Sequence, residues 1–489
     1  MRYRVDPAFK FKILDREGGA SFKTCFQCGT CTAKCPVSQH VDLLRPNKIV
    51  HLAKLGVRNH IHSNGFWLCA GCNACVATCP QGVDLPAIMH AMKSVAAAED
   101  EVPRFLCDYE ALREIPLPLI YTWLCLDPDS FPQYHYRTNE WVHRSLQGYL
   151  RRYQAAKPAI THTERVAVIG SGPAGLACAW ELIRRGVAVT IFEREAWAGG
   201  MLRTGLPAHR LPKELVDAEI QHLEAMGVIM KTHVEVDAAS FRALSGYDAV
   251  FLATGSHRTR SLRVEGEDLD GVIHAIDFLK TMNTHGLTSL DRVVVIGGGG
   301  VAIDAARTAI RCGGDVRMFC LESRREIPGH EWELQQALSE GVELEPSWGV
   351  QRILGETAVT GLVLKRCVQV FDAHGRFHPQ YDEATTKQVD AETLILAIGQ
   401  GPDVSYVDKR VQVGRGILID PHTRMTSADR IYAGGDAVRG VASIMEAMDD
   451  GKHAAEAILT RLSRSWPAPR EASLTAPKGE KAVYPTLTA

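Results

Sequence analysis

The chain has 489 residues with a formal net charge of −2, and 46% of its residues are hydrophobic and 23% charged. That length suits about three domains, each able to bury its own core. The near-neutral balance, without a long basic run, excludes nucleic acid and an anionic membrane surface as implied partners. The N-terminal MRYRVDPAFKFKIL carries positive charge but no apolar stretch after it, so it does not read as a secretory signal. The most apolar short stretch, residues 115–126, contains Pro116 and Pro118 and is too short to span a bilayer. The 14 cysteines are spaced for metal in a reducing compartment rather than for disulfides, and the expected location is cytoplasmic.

Residues 1–100 hold eight of those cysteines in two copies of one pattern. Cys25, Cys28, Cys31 and Cys35 precede Pro36, and Cys69, Cys72, Cys75 and Cys79 precede Pro80. Both read C-x2-C-x2-C-x3-C-P, the bacterial run for [4Fe–4S] clusters, in which the fourth cysteine typically reaches the other cluster. One cluster is therefore assigned to Cys25, Cys28, Cys31 and Cys79, and the other to Cys69, Cys72, Cys75 and Cys35. Structural zinc is the competing reading, but zinc sites usually draw two C-x2-C pairs from separated loops. Residues 46–55 predict a helix with Pro46 in its first turn and Gly56 as its stop. A second opens at Asp84 and Pro86, with Ile88, Met92, Val95 and Ala96 on one stripe. His60 and His62 read as loop residues. The stretch CFQCGTCTAKCP, about 30 helical residues and WLCAGCNACVATCPQGVDL resembles the ferredoxin-type iron–sulfur subunit of heterodisulfide reductases. That resemblance implies a one-electron relay rather than a substrate site.

Residues 101–160 form a connector with Pro103, Pro116, Pro118, Pro128 and Pro132 and several aromatic residues among them. Such dense proline predicts no long regular structure before about residue 138. The aromatics predict a packed strap rather than a free linker, followed by a short helix near residues 140–153.

A nucleotide pattern follows. Residues 166–169 are an apolar strand, and Gly170, Gly172 and Gly175 supply G-x-G-x-x-G, with Pro173 and Ala174 inside the turn. A helix to about Arg185 and a second strand lead to Glu193, 18 residues past Gly175. In this arrangement the first glycine permits the tight turn, the second lets backbone approach a pyrophosphate, and the third lets helix pack on strand. Glu193 stands where an acid hydrogen-bonds a ribose. Late in the chain IYAGGDAV, residues 431–438, ends a strand in Gly435 and Asp436, which suits binding of the ribityl or diphosphate part of FAD at a helix start. Between these lies a second pattern. Residues 293–296 are a strand, Gly297, Gly299 and Ala302 give G-x-G-x-x-A, and a further strand ends at Glu322, 20 residues past Ala302. Two such patterns, one inserted in the other, suit FAD plus NAD(H).

The motifs GSGPAGLACAWEL, GGMLRTGLPAHRLP, LATGS, GGGGVAIDAAR, REIPG, LAIGQ and GGDAVRGVASIMEAMDDGK resemble the small subunit of glutamate synthase and the flavin part of dihydropyrimidine dehydrogenase, over about 300 residues. By that resemblance Gly200, Arg210 and Asp436 touch FAD. Gly297 to Ala302, with Gly300 and Val301 in the turn, and Ala397 to Gly399 flank the nicotinamide nucleotide. The chain departs from that family in its cysteine spacing and in having Gly300 where an asparagine is usual. Where NADPH-using relatives end the second strand in an Arg-Arg pair, it has Leu321 and Glu322. A carboxylate about 4 Å from a 2′-phosphate would cost about 4 kcal/mol at an effective dielectric near 20, whereas it accepts hydrogen bonds from an unphosphorylated ribose. NADH is expected over NADP(H), with Arg324 and Arg325 the residues able to reverse that preference.

The fold class read from these patterns is α/β, with two Rossmann-like nucleotide-binding domains, the NAD domain inserted in the FAD domain, behind an N-terminal helical ferredoxin-like two-cluster domain. The expected boundaries are 161–282 and 396–463 for the FAD domain, 283–395 for the NAD domain and 464–489 for a loosely ordered tail rich in Pro, Ala, Thr and Lys. No C-x2-C or C-x4-C pair follows residue 80; Cys178, Cys312, Cys320 and Cys367 stand alone and read as packing residues. Hydride transfer to a flavin needs position more than an acid or base, so no catalytic side chain is assigned. The expected function is electron exchange between NADH, FAD, two clusters and a partner redox protein. The alternatives are a glutamate synthase small subunit and a non-catalytic scaffold.

Overall fold

The computed structural model describes residues 5–16, 18–57, 65–101, 103, 114–154, 158–286 and 289–462. His60, His62 and the tail at 464–489 lie outside them. The described residues fall into two compact units. One is the chain up to Leu202 with His209–Ser256 and the stretch from Pro402 onward; the other is Arg203–Ala208 with His257–Gly401.

The first unit is organised on a five-stranded parallel sheet in the order Ile431–Ala433, Ala249–Leu252, Arg165–Ile169, Ala188–Phe192, Ile229–Lys231. The central strand is buried from Val166 to Ile169, as a parallel strand covered on both faces must be. The helix Pro173–Arg184 and the last helix, Ile444–Leu462, cross closely. A Cβ on Gly451 would lie 2.1 Å from the Ala174 carbonyl oxygen, so only glycine fits that crossing.

The cysteine module of this unit is helical: Phe9–Leu14, Thr30–Lys34, Pro46–Lys54 and Leu85–Ala98. Asp84 Oδ1 accepts the Ala87 N–H at 3.0 Å and caps the last of these. The connector departs from expectation. Pro118–Leu126 is a buried helix despite the dense prolines around it. Pro118 stands in its first turn, where no N–H is required, and Glu219 Oε2 accepts from Leu119 N at 2.9 Å and Ile120 N at 3.4 Å. A carboxyl oxygen from another helix thus satisfies donors that isolated sequence leaves orphaned. The strap is packed: Trp67 meets Tyr134 edge-on at 5.1 Å, and Trp123 Nε1 donates to the Arg210 carbonyl at 2.8 Å. The helix expected near 140–153 is Glu140–Gln154.

The second unit has its own five-stranded parallel sheet, ordered Val272–His274, Thr393–Leu396, Arg292–Ile296, Asp315–Cys320, Glu343–Pro346. A three-stranded antiparallel sheet, Trp348–Gly355, Val359–Phe371 and Phe377–Asp390, packs Leu362, Leu364 and Val389 against Val294 and Leu396 of the parallel sheet. No described helix is long and apolar enough to cross a membrane.

Candidate functional site

The eight cysteines line two hollows. Cys25, Cys28 and Cys31 share one with Cys79; Cys69, Cys72 and Cys75 share the other with Cys35. Each quartet therefore contributes its fourth member across the module. The helix Thr30–Lys34 ends at Cys35, whose backbone is extended (φ −69°, ψ 118°), and Pro36 continues into the second hollow. Among the described residues no three His, Cys, Asp or Glu side chains are gathered closely enough to hold a single ion. Burial pushes the Cys69, Cys72 and Cys75 thiols up, the last two well above the usual thiol value. Cys28 is exposed, and hydrogen bonding from Thr30 holds its thiol below that value. Soft sulfur donors around an apolar hollow are the set an iron–sulfur core takes.

The second hollow is also lined by Met445, in the first turn of the helix Ile444–Leu462. One turn on, Asp449 Oδ1 lies 3.3 Å from His40 Nε2 of the cysteine module and 3.4 Å from His453 Nδ1. Burial alone would raise Asp449, but its hydrogen bonds with the two histidines hold the carboxyl well below the usual range. The bond to Asp449 raises His453 in turn.

At the first glycine turn Gly170 takes φ +97°, and a Cβ there would lie 2.5 Å from the Ala253 carbonyl oxygen. A Cβ on Gly175 would lie 2.0 Å from the Gly170 carbonyl oxygen. Gly172 differs: its Cβ would meet nothing within 4 Å, which leaves backbone facing open space where a pyrophosphate can sit. Pro173 and Ala174 begin the helix whose N–H groups face that space. Gly200, at φ +50°, comes against Gly172, with 2.8 Å between its Cβ position and Gly172 Cα. Glu193 is buried and folded onto the turn; its Oε2 accepts from Ser171 N at 3.0 Å and Ser171 Oγ at 2.5 Å, and its Oε1 from Glu195 N at 2.9 Å. Gly435, at φ +65°, sits against Ala174, with 3.1 Å between its Cβ position and Ala174 Cβ. Asp436 follows it, its carboxyl pushed up to about 7 by burial. The Arg210 carbonyl accepts the Trp123 indole N–H.

Sequence reasoning missed Asp450, which organises this corner. It is fully buried, accepts Gly435 N at 2.8 Å, and pairs with Arg439 at 2.5 Å and Arg424 at 3.0 Å. The available signal was an acid beside Gly451, on a face that otherwise buries Ala447 and Ala454.

The second glycine turn repeats the first. Gly297, at φ +141°, puts its Cβ position 2.5 Å from the Ala397 carbonyl oxygen, and Gly299 faces open space. Gly300, Val301 and Ala302 lead the helix Gly300–Arg311. Glu322 is buried, its carboxyl pushed up by that burial, and its Oε2 is 3.3 Å from the Cβ position of Gly298. Arg324 turns to Glu331, Nη1 to Oε2 at 2.8 Å, and Arg325 is exposed. Gly399, at φ +93°, lies beside Arg260. Cys178, Cys312, Cys320 and Cys367 are all buried and separate.

Residues 164–451 match the pyridine nucleotide-disulphide oxidoreductase family, and residues 21–83 match the 4Fe-4S dicluster domain. The beta subunit of an NADPH-Fe(3+) oxidoreductase from Geobacter sulfurreducens is 30% identical over 90% of this chain and 70% of its own length. The beta subunit of an NADP(+)-dependent formate dehydrogenase from Moorella thermoacetica is 38% identical over 64% of this chain, but the match spans only 46% of that subunit. The small chain of glutamate synthase [NADPH] from Azospirillum brasilense is 36% identical over 60% of this chain and 65% of its own. FprA from Mycobacterium tuberculosis shares the fold, with a TM-score of 0.53 at 20% identity over 61% of this chain and 85% of its own. The chain belongs to the pyridine nucleotide-disulphide oxidoreductase family, as an NAD(P)H oxidoreductase with a 4Fe-4S dicluster domain ahead of its flavoprotein part.

Proposed function

We propose that this chain is the electron-transfer subunit of a larger redox complex, moving electrons between NADH, FAD, two [4Fe–4S] clusters and a partner redox protein. A nicotinamide exchanges two electrons at once and a cluster one, and a flavin handles both. The observation that carries the reading is the placement of Met445. It lines the hollow of Cys35, Cys69, Cys72 and Cys75, while six residues along the same helix Gly451 presses on Ala174 at the flavin turn. At 1.5 Å per residue those two points are about 9 Å apart. The chain's own residues bind and orient: the glycine turns take the two pyrophosphates, and Asp450 holds Gly435 in place. By this reading Cys25, Cys28, Cys31 and Cys79 hold one cluster and Cys69, Cys72, Cys75 and Cys35 the other.

The preference for NADH rests on Glu322, buried at the second glycine turn, and on Arg324 being engaged by Glu331. The relatives named for NADPH weigh on the other side. A second reading, a glutamate synthase small subunit, is favoured by the 36% identity to such a chain. Anaerobic mixing with NADH or NADPH tests these proposals together. Bleaching of the flavin followed by cluster reduction, with about eight irons per chain, is the expected result. An unbleached flavin overturns the redox role, and a higher kcat/KM with NADPH overturns the nucleotide preference. Oxidation that requires glutamine and 2-oxoglutarate with a large subunit would select the second reading.

A further inference from the structure

We propose that Lys93 sets the reduction potential of the cluster held by Cys35, Cys69, Cys72 and Cys75, its buried ammonium acting as counter-charge to the anionic thiolate-ligated core; this rests on the cluster assignment proposed above. Lys93 stands on the helix Leu85–Ala98 and is 4% exposed. Its Nζ donates to the carbonyl oxygens of Cys69 at 2.8 Å and Cys125 at 2.7 Å, and lies 5.9 Å from the centre of the Trp67 ring. Among the described residues it makes no ion pair with a carboxylate. Asp127, just past the connector helix, lies 3.8 Å from His90; burial pushes its carboxyl up and the Lys93 charge partly offsets that, so the two sense one another without pairing. Carbonyl oxygens satisfy the donors of an ammonium but do not neutralise it, and an isolated buried charge is expensive.

Asp127 is raised by burial and offsets the Lys93 charge only in part, and the second hollow supplies the rest. Cys69 belongs to the second hollow, and four thiolates around a four-iron core carry net negative charge. Reduction adds one electron and no proton, the electron reaching the cluster from the nicotinamide through the flavin, so the cluster becomes more negative by one charge. A fixed cation alongside favours that reduced state and raises the potential.

The first hollow offers an internal comparison. Lys54, on the helix that follows the first quartet, donates to the carbonyl oxygens of Cys25 at 2.7 Å and Lys23 at 3.2 Å. Cys25 and Cys69 are the first members of their quartets, so the two lysines occupy equivalent places. Lys54 is only half-buried, however, and water screens its charge. The asymmetry assigns the higher potential to the cluster of Cys35, Cys69, Cys72 and Cys75.

Potentiometric titration followed by EPR of the full chain tests this on wild type, Lys93→Met, Lys93→Arg and Lys54→Met. Lys93→Met is expected to lower one cluster midpoint by at least a tenfold change in its one-electron equilibrium, about 59 mV. The other cluster and the flavin should stay in place. Lys93→Arg should keep the wild-type midpoint, and Lys54→Met should move the other cluster by less. Eight irons with both midpoints unmoved in Lys93→Met overturns the proposal. Should Lys93→Met lose iron, Lys93→Arg decides: a loaded cluster at the wild-type midpoint supports the role of charge, and a loaded cluster at a lowered midpoint overturns it. A wild-type chain without iron overturns both this inference and the proposed function, whereas loaded clusters with unmoved midpoints overturn this inference alone.

Discussion

His40 and Asp449 meet with Nε2 and Oδ1 3.3 Å apart, and so tie a loop five residues past Cys35 to the helix that packs on the flavin turn. Asp449 also holds His453, so one carboxylate clamps two imidazoles. The clamp has a pH window. Asp449 is depressed, so its contribution is present above its unfolded value near 4 and is lost as pH falls through the folded value. His453 is raised, so its contribution is full below about 6.5 and is lost as pH rises through its folded value. Replacing Asp449 by Asn should cost about 1.5–3 kcal/mol. The loss in Tm should be widest between about pH 4 and 6.5 and narrower at pH 9. Equal losses at pH 6 and pH 9 would refute the clamp.

The crossed cysteines make a prediction in which the two quartets exchange members. Cys35→Ala should halve the iron content, and alkylation read by mass spectrometry should then mark Cys69, Cys72 and Cys75 while Cys25, Cys28 and Cys31 stay protected. Protection of Cys69, Cys72 and Cys75 with labelling of the first three would place Cys35 with its own quartet.

The glycines of the two turns separate binding from folding. Gly172→Ala and Gly299→Ala each put a methyl group into open space, so both chains should fold. Gly172→Ala should lose half or more of its FAD. Gly299→Ala should keep its FAD and show a KM for the nicotinamide nucleotide raised about tenfold, equivalent to about 1.4 kcal/mol. Gly175→Ala, whose methyl would meet the Gly170 carbonyl oxygen at 2.0 Å, should fail to fold around the flavin. An unchanged KM in Gly299→Ala would remove the second turn from the nucleotide site.

Glu219 carries a proton into the core. Burial pushes its carboxyl up to about 8, against an unfolded value near 4.3. The folded chain therefore binds more protons between those values, and stability falls as pH rises through that range. Glu219→Gln keeps an oxygen for Leu119 and Ile120 and should flatten this slope. Glu219→Leu should cost about 1–2 kcal/mol by orphaning the helix start. A slope of Tm from pH 5 to 8 that survives in Glu219→Gln would locate its origin elsewhere.

Much of this was legible because the chemistry is local. A glycine turn between an apolar strand and a helix spans few residues, and Gly170 to Gly175 need only near neighbours to adopt their shape. The connector helix was not legible, because its buried first turn needs an acceptor for the Leu119 and Ile120 N–H groups, and Glu219, which supplies it, is 100 residues from Leu119. The antiparallel sheet beyond residue 347 passed unnoticed, since the alternation along Val359–Phe371 has meaning only against the face it covers.

By itself the sequence determined the two dinucleotide turns, the two cysteine quartets and their order along the chain, because short-range backbone geometry and fixed ligand spacing specify them. Tertiary structure alone decided that Met445 lines a cysteine hollow, that Asp450 steadies Gly435 and that Lys93 is buried between the Cys69 and Cys125 carbonyls. Those relations join residues distant in sequence, and only packing brings their charges and surfaces into contact.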